Sequence, residues 1–369
     1  AHYDRVLPMM AEPLLETPAT VRLADHPRPD REAATALGAA FPDRALEFRA
    51  ARFMADGEPL TFTPHSFSRI VFDLNDYFCL YFRLMLSGGR NAIVTVSFAE
   101  AFFREPVSDP YSGCKDDRSR VDGLFHYGSG DRFIADGGER EFEPLDWNAG
   151  RYLILLVQTG DEALTMTRLE LFQTGYPLAI TGDFQLTGGD GDKLAELSRR
   201  CRRTLRCCMH ELYLDCPYYE RLMYAGDTRL EMLQTYVTSH DRRLPRKAVI
   251  YFGSSLTASG SIQARYPSWD CQIIPSFSLW WIGMLHDYAR WNDDPVTVGN
   301  LLPAARTVLD HFAGFAESDG AIRTPRGWNF YDWRWTCYGV PPGHQPGPGS
   351  LLNLHYLWSL KLLAELEDY

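Results

Sequence analysis

The chain reads as a multidomain β + α protein, an antiparallel β-sandwich followed by part of a six-fold α/α toroid. Three observations carry this reading. Its 369 residues exceed the ~100–200 of an ordinary domain, and 45% hydrophobic with 23% charged residues marks a folded globular chain. Apolar residues recur with period two before residue 190 and at three- and four-residue spacing after it. Eight of the nine Trp also lie after residue 190 (Trp269, Trp280, Trp281, Trp291, Trp328, Trp333, Trp335, Trp358), with only Trp147 before it.

Taken in order, residues 1–59 are an N-terminal segment without an assigned domain, with a short helix expected over Arg31–Ala40. Residues 60–180 form the sandwich. Ser68–Leu74 and Phe78–Leu86 read as strands, Ser87-Gly88-Gly89-Arg90 as a tight turn, and Ile93–Phe98 as the next strand. An irregular stretch over 105–140 precedes two further strands, Arg151–Gln158 and Leu164–Phe172. Gly188-Gly189-Asp190-Gly191-Asp192 marks the boundary, with Asp192 as the expected N-cap of a helix. Leu194, Leu197, Cys201, Leu205 and Cys208 then form one apolar stripe. Further stripes occupy about 228–239, 272–290, 296–316 and 350–366, making five in residues 190–369. The intervening stretches 241–271 and 317–349, rich in Gly, Pro and Trp, read as long loops lining a cleft.

Composition narrows the partners. Acidic residues outnumber basic ones 48 to 37, a net charge of −11 that repels phosphate backbones and anionic lipid, so neither nucleic acid nor membrane is expected as a partner. No apolar run approaches the ~18–20 residues of a membrane span. The start, Ala1-His2-Tyr3-Asp4, carries no signal-peptide pattern, although a processed terminus would look the same. Eight Cys without a CxxC pair read as small buried thiols, and Cys207-Cys208-x-His210 with Cys216 fits no zinc spacing. No metal or organic cofactor is signalled.

The chemistry concentrates in Asp215-Cys216-Pro217-Tyr218-Tyr219-Glu220-Arg221-Leu222-Met223-Tyr224-Ala225-Gly226-Asp227. Pro217 ends any preceding helix, so three carboxylates gather in or near a Tyr-rich loop. Such a set suits glycoside hydrolysis, which needs one carboxylic acid to protonate the leaving oxygen and a second carboxylate to activate water or attack the sugar. The competing role for Asp227 is N-cap of the stripe that follows. Two further segments place Asp beside Trp ahead of a helical stripe, Tyr266-Pro267-Ser268-Trp269-Asp270 and Gly327-Trp328-Asn329-Phe330-Tyr331-Asp332-Trp333-Arg334-Trp335. There a ring can stack on a sugar face while the carboxylate orients hydroxyls. Trp280, Trp281 and Trp291 are expected in the core.

These residues resemble the bacterial α-L-rhamnosidases of glycoside hydrolase family 78. The similarity lies first in Asp215-Cys216-Pro217…Glu220…Gly226-Asp227. The segment 327–333, Trp269-Asp270 and Ser350-Leu351-Leu352-Asn353 follow in the same order. Val71–Leu74, Ser97–Glu100 and Arg151-Tyr152 are matching points in the sandwich. The resemblance implies a bacterial, inverting hydrolase of terminal α-L-rhamnosyl groups in rhamnose-containing oligosaccharides or glycosides. By position, Glu220 would be the general acid, Asp215 and Asp227 would bind rhamnose hydroxyls, and Trp269, Asp270, Asp332 and Trp333 would line the same pocket. Tyr218-Tyr219 and Tyr224-Ala225 depart from the common form of the motif, which bears on substrate preference. The family's general base comes from the second half of the toroid, and no carboxylate after residue 332 fits that role. The chain is therefore expected to be a piece of a longer enzyme. The alternatives are a non-catalytic carbohydrate-binding protein and a toroid hydrolase of another sugar.

Overall fold

The computed structural model describes residues 10–13, 20–25, 36–37, 43–107, 113–128, 130–183, 187–334, 338–341 and 349–369, the first three spans by backbone course alone. Two compact units are present, one over 10–175 and one over 176–369.

Among its described residues the first unit has eleven strands and one helix: β1 (Met10–Pro13), β2 (Thr20–Asp25), β3 (Ala36–Leu37), α1 (Arg44–Asp56), β4 (Leu60–Phe62), β5 (Phe67–Gly88), β6 (Ile93–Ala99), β7 (Leu124–Phe125), β8 (Gly130–Ile134), β9 (Arg140–Phe142), β10 (Asn148–Gln158) and β11 (Leu164–Gly175). The two strands expected over 68–86 are one 22-residue strand, and the sheet curls around it in the order β1-β11-β5-β10-β6-β8, all antiparallel. Asn75 sits mid-strand at φ +64°, and opposite it the register with β10 shifts between Gly150 and Tyr152. That irregularity lets the first half of β5 pair with β2 and the second half with β11 and β9. The turn after β5 uses Gly88 and Gly89 at φ +74° and +61°, and a Cβ on Gly89 would meet Leu164 at 2.7 Å, so only glycine fits there. Alternation along β10 sends Tyr152 and Ile154 to a cluster with Val71, Phe102 and Val121. The helix expected over Arg31–Ala40 is corrected at its centre. Ala36 and Leu37 are a short strand paired with Phe125 and Leu124, an extended course incompatible with a helix there, and the flanking residues lie outside those described.

The second unit is helical: α2 (Gly191–Cys208), α3 (Ala225–Thr238), α4 (Arg243–Ser254), α5 (Pro275–Trp291), α6 (Pro295–Ala313) and α7 (Ser350–Glu367). Five stripes were expected and six helices are present among the described residues. The added one, α4, falls in the expected loop 241–271. Its Pro245 reads as a breaker in sequence, yet it lies in the first turn, where the missing N–H has no intrahelical acceptor to lose. The N-cap of α2 is Asp190, not Asp192, which falls inside the first turn. Helix α5 touches α3, α4, α6 and α7; α3, α5 and α7 form one row, with α4 and α6 behind it. Trp281, Ile282, Leu285, Val308 and Phe312 fill the space between the rows. Trp281 is fully buried as expected, but Trp291 is half exposed because it ends α5 and stacks flat on Tyr236 at the surface. Leu351, Leu354, Leu357 and Leu360, at three-residue spacing on α7, are exposed, so only part of a ring is visible. No helix is long and apolar enough to cross a membrane among the described residues.

Candidate active site

The N-terminal ends of α3, α5 and α7 are tied together by the loops that precede them. The Ala225 N–H donates to the Ala264 carbonyl and the Tyr266 N–H to Met223, joining the loops before α3 and α5. The Trp328 N–H donates to the Ile273 carbonyl, and Ser276 Oγ donates to Phe330 O at 2.6 Å, joining the loop before α7 to the start of α5. All three sequence segments singled out for sugar chemistry therefore meet at one end of the helical row.

The first loop is closed by Asp215. Its backbone N–H donates to the Leu222 carbonyl, and its Oδ1 accepts from the Leu222 N–H at 2.9 Å. Inside this closure Cys216 Sγ accepts from the Glu220 N–H at 3.3 Å, which fixes the backbone of Glu220 while its side chain remains exposed. Arg221 takes φ +55°, a left-handed conformation costly for a residue with a Cβ, and its Nε donates to the Pro217 carbonyl. Asp227 is not the N-cap of α3. Tyr224 holds that position, and Asp227 falls in the first turn, where free N–H groups favour an acidic side chain.

Three of the seven expected residues, Asp215, Glu220 and Asp227, interact directly as charges. Burial pushes the Asp215 carboxyl up, and Glu220 pushes it further. Asp227 is pushed up to about 6, by its surroundings first and then by Asp215 and Glu220. It is nevertheless reached by solvent, which softens the effect. Asp270 joins the group through a cation. Arg265 Nη2 donates to Asp270 Oδ2 at 3.3 Å and Nη1 donates to the Tyr224 hydroxyl oxygen at 3.1 Å. Burial followed by the Glu220 charge pushes the Tyr224 phenol up to about 12.

Trp333 reaches the same region through rings. Trp333–Phe330, Phe330–Phe277 and Phe277–Tyr224 have centroids 5.2, 6.0 and 6.4 Å apart. Trp269 stands 97% exposed. Asp332 uses its carboxylate locally, accepting from the Arg334 N–H at 2.7 Å. Trp335, in the same segment, lies outside the described residues.

Sequence reasoning missed Arg265 and Glu231. Glu231 lies four residues after Asp227, hence on the same face of α3, a spacing that was visible. Its Oε2 is buried without a hydrogen-bond partner, and burial, then Asp227 and Asp215, push its carboxyl well above the usual range. Arg265 carried no local signal beyond its place just before Tyr266-Pro267. Among the described residues, no group of His, Cys, Asp and Glu is arranged to hold a metal ion.

A helical row whose N-terminal loops gather carboxyl groups and aromatic rings is the arrangement of a helical-hairpin glycosidase. Residues 188–368 match the family model of the bacterial alpha-L-rhamnosidase 6 hairpin glycosidase domain, so the helical unit is a domain of that rhamnosidase family. Among solved structures it resembles a GH78 family rhamnosidase of Bacillus sp. GL1, with TM-score 0.69 and 22% identity over 84% of this chain and 30% of that one. It also resembles a rhamnosidase from Klebsiella oxytoca with rhamnose bound, with TM-score 0.65 and 17% identity over 98% of this chain and 70% of that one. A third is an alpha-L-rhamnosidase from Dictyoglomus thermophilum, with TM-score 0.61 and 14% identity over 84% of this chain and 33% of that one. The chain thus spans about a third of the length of the Bacillus and Dictyoglomus proteins. No curated protein matches it.

Proposed function

We propose that this chain carries the acid half of an inverting α-L-rhamnosidase active site, releasing terminal α-L-rhamnose from an oligosaccharide or glycoside. The observation that carries the reading is the crowding of the Asp215, Glu220 and Asp227 charges on the loop before α3 and the first turn of α3, beside the Arg265 bridge from Tyr224 to Asp270, within a rhamnosidase-family domain. Glu220 is the general acid, giving its proton to the glycosidic oxygen as the bond to the anomeric carbon breaks. Its exposed side chain on a rigidly closed loop suits that task. Asp215 and Asp227 accept hydrogen bonds from rhamnose hydroxyls. Trp269 and Trp333 offer apolar faces to the sugar, with Asp270 and Asp332 at the rim. The base that activates water belongs, in this reading, to helices of the ring that these 369 residues do not include. The bound rhamnose of the Klebsiella relative supports the sugar assignment.

The test is hydrolysis of a natural rhamnoside with a poor leaving group by the full-length enzyme that includes the rest of the ring, wild type against Glu220→Gln. The variant should lose on the order of 10²–10⁴ in kcat, while the first-formed sugar seen by NMR is β-L-rhamnose. Normal turnover by the Gln variant would remove Glu220 from the mechanism, and α-L-rhamnose as first product would exclude inversion. Rhamnose binding without turnover would favour a carbohydrate-binding role.

A further inference from the structure

Arg265 stands at the start of a loop that closes on itself. The Ala264 N–H donates to the Gln272 carbonyl at 2.8 Å, so residues 265–271, with Trp269 and Asp270 near the far end, form one loop anchored at its base. Within it the Asp270 N–H donates to Ser268 Oγ, and the Asp270 carboxylate is held from the other side of the loop by Arg265 Nη2, which donates to Oδ2. The guanidinium cannot swing freely. Its Nη1 donates to the Tyr224 hydroxyl oxygen at 3.1 Å, it lies over the Tyr224 ring at 5.7 Å, and a backbone bridge pairs Tyr224 with Arg265. Tyr224 is itself buried and meets Phe277 edge-on. The remaining donor, Arg265 Nε, is buried without a partner. An unpaired buried donor costs stability, so this arginine is not what loop stability alone would select.

We propose that Arg265 is a positioning residue for Asp270, setting that carboxylate, and with it the neighbouring Trp269, against the sugar. This rests on the reading of Asp270 as a contact of the rhamnose pocket. The Asp270 side chain is half exposed and, held by its backbone alone, would turn among several rotamers. With Oδ2 engaged by Arg265, one rotamer is kept and Oδ1 is the oxygen left to accept from a sugar hydroxyl. Arg265 touches no sugar in this role. It spans from Tyr224, at the start of α3, to the loop before α5, and so fixes the carboxylate relative to the loop that carries Asp215 and Glu220. A lysine cannot do the same, because an ammonium is a point charge without the fixed fork that reaches two partners at once. Rhamnose affinity, not proton transfer, is the quantity Arg265 controls.

The test uses the full-length enzyme and calorimetric titration with L-rhamnose. Arg265→Gln should weaken binding roughly five- to tenfold, with kcat on a natural rhamnoside changed by less than about twofold. Asp270→Ala should weaken binding by a similar factor. Adding Arg265→Gln to Asp270→Ala should then cost less than about twofold more, because the carboxylate being positioned is gone. Arg265→Lys stands in if the Gln variant does not fold, and it too should bind rhamnose less tightly than the wild type. Unchanged affinity, equal losses with and without the Asp270 side chain, or a loss in kcat as large as the loss in affinity would each overturn the proposal. A second arm needs no sugar. With 5-fluorotryptophan incorporated, the ¹⁹F signal of Trp269, assigned by its loss in Trp269→Phe, should shift and broaden in Arg265→Gln and in Asp270→Ala as the loop loosens. An unmoved signal would overturn the proposal whatever the affinity. A moved signal in a protein that neither binds nor hydrolyses a rhamnoside would uphold the positioning of the loop and sink the rhamnosidase reading.

Discussion

Asp227 and Glu231 stand one turn apart on the same face of α3, with Asp227 open to the site and Glu231 beneath it carrying a buried oxygen that has no hydrogen-bond partner. The fold therefore places a second carboxyl behind one already crowded by Asp215 and Glu220. An acidic group that is hard to ionise in the folded protein but easy to ionise in the unfolded chain destabilises the fold wherever pH favours ionisation. The position tolerates this cost inside a helix whose other buried residues, Met232 and Tyr236 among them, pack into the core.

Glu231→Gln should therefore stabilise the protein at neutral pH. Glu231 is raised in the folded state, so the native protein binds more protons than the unfolded chain above the ordinary value of 4.5, and stability falls as pH rises from there. Gln does not titrate. The variant should gain roughly 1–3 kcal/mol at pH 7 and match the wild type near pH 4. Urea unfolding at the two pH values checks this, and equal stabilities at both would contradict it.

Trp269 and Trp281 should separate binding from folding. Trp269 is 97% exposed, so Trp269→Ala should change stability by no more than about 0.5 kcal/mol while weakening rhamnose binding several-fold. Trp281 is fully buried and its indole N–H donates to the Val249 carbonyl at 3.1 Å, so Trp281→Ala should cost about 3–5 kcal/mol. Calorimetric titration with L-rhamnose and thermal melts give both values. Unchanged affinity in Trp269→Ala would remove that ring from the subsite.

In the sheet, Asp73 of β5 and Arg151 of β10 form a two-pronged ion pair at 2.8 and 2.9 Å, and the Asp73 side chain is fully buried. Asp73 also accepts from the Asn75 N–H, holding the left-handed residue at which β5 changes partners. Asp73→Ala leaves a partly buried cation unpaired and should cost roughly 3 kcal/mol. Asp73→Ala combined with Arg151→Met should recover part of that loss. Denaturant midpoints of the single and double variants decide it, and a neutral single variant would be the contrary result.

The legible parts of this protein were local ones. Asp215, Glu220 and Asp227 lie within one short motif, so their gathering could be read directly, and the long strands β5, β6, β10 and β11 and five of the six helices followed from the spacing of apolar residues. Helix α4 was hidden because Pro245 looks like a breaker unless its place in the first turn is known. Trp291 looked like core because residue type alone does not say which helix end reaches the surface.

Arg265 was illegible for a different reason. Its partner Tyr224 is 41 residues away, and the two meet only because the loops before α3 and α5 are zipped together by backbone bonds. Glu231 likewise reads as one more helix carboxylate until packing removes water from its oxygen. Residue order and short-range periodicity are enough to specify strands, helices and a carboxylate-rich loop, since each depends on neighbours along the chain. Which loops share a site, and which of several identical carboxyl groups is stripped of solvent, depend on contacts between distant segments, and those exist only once the helices have packed.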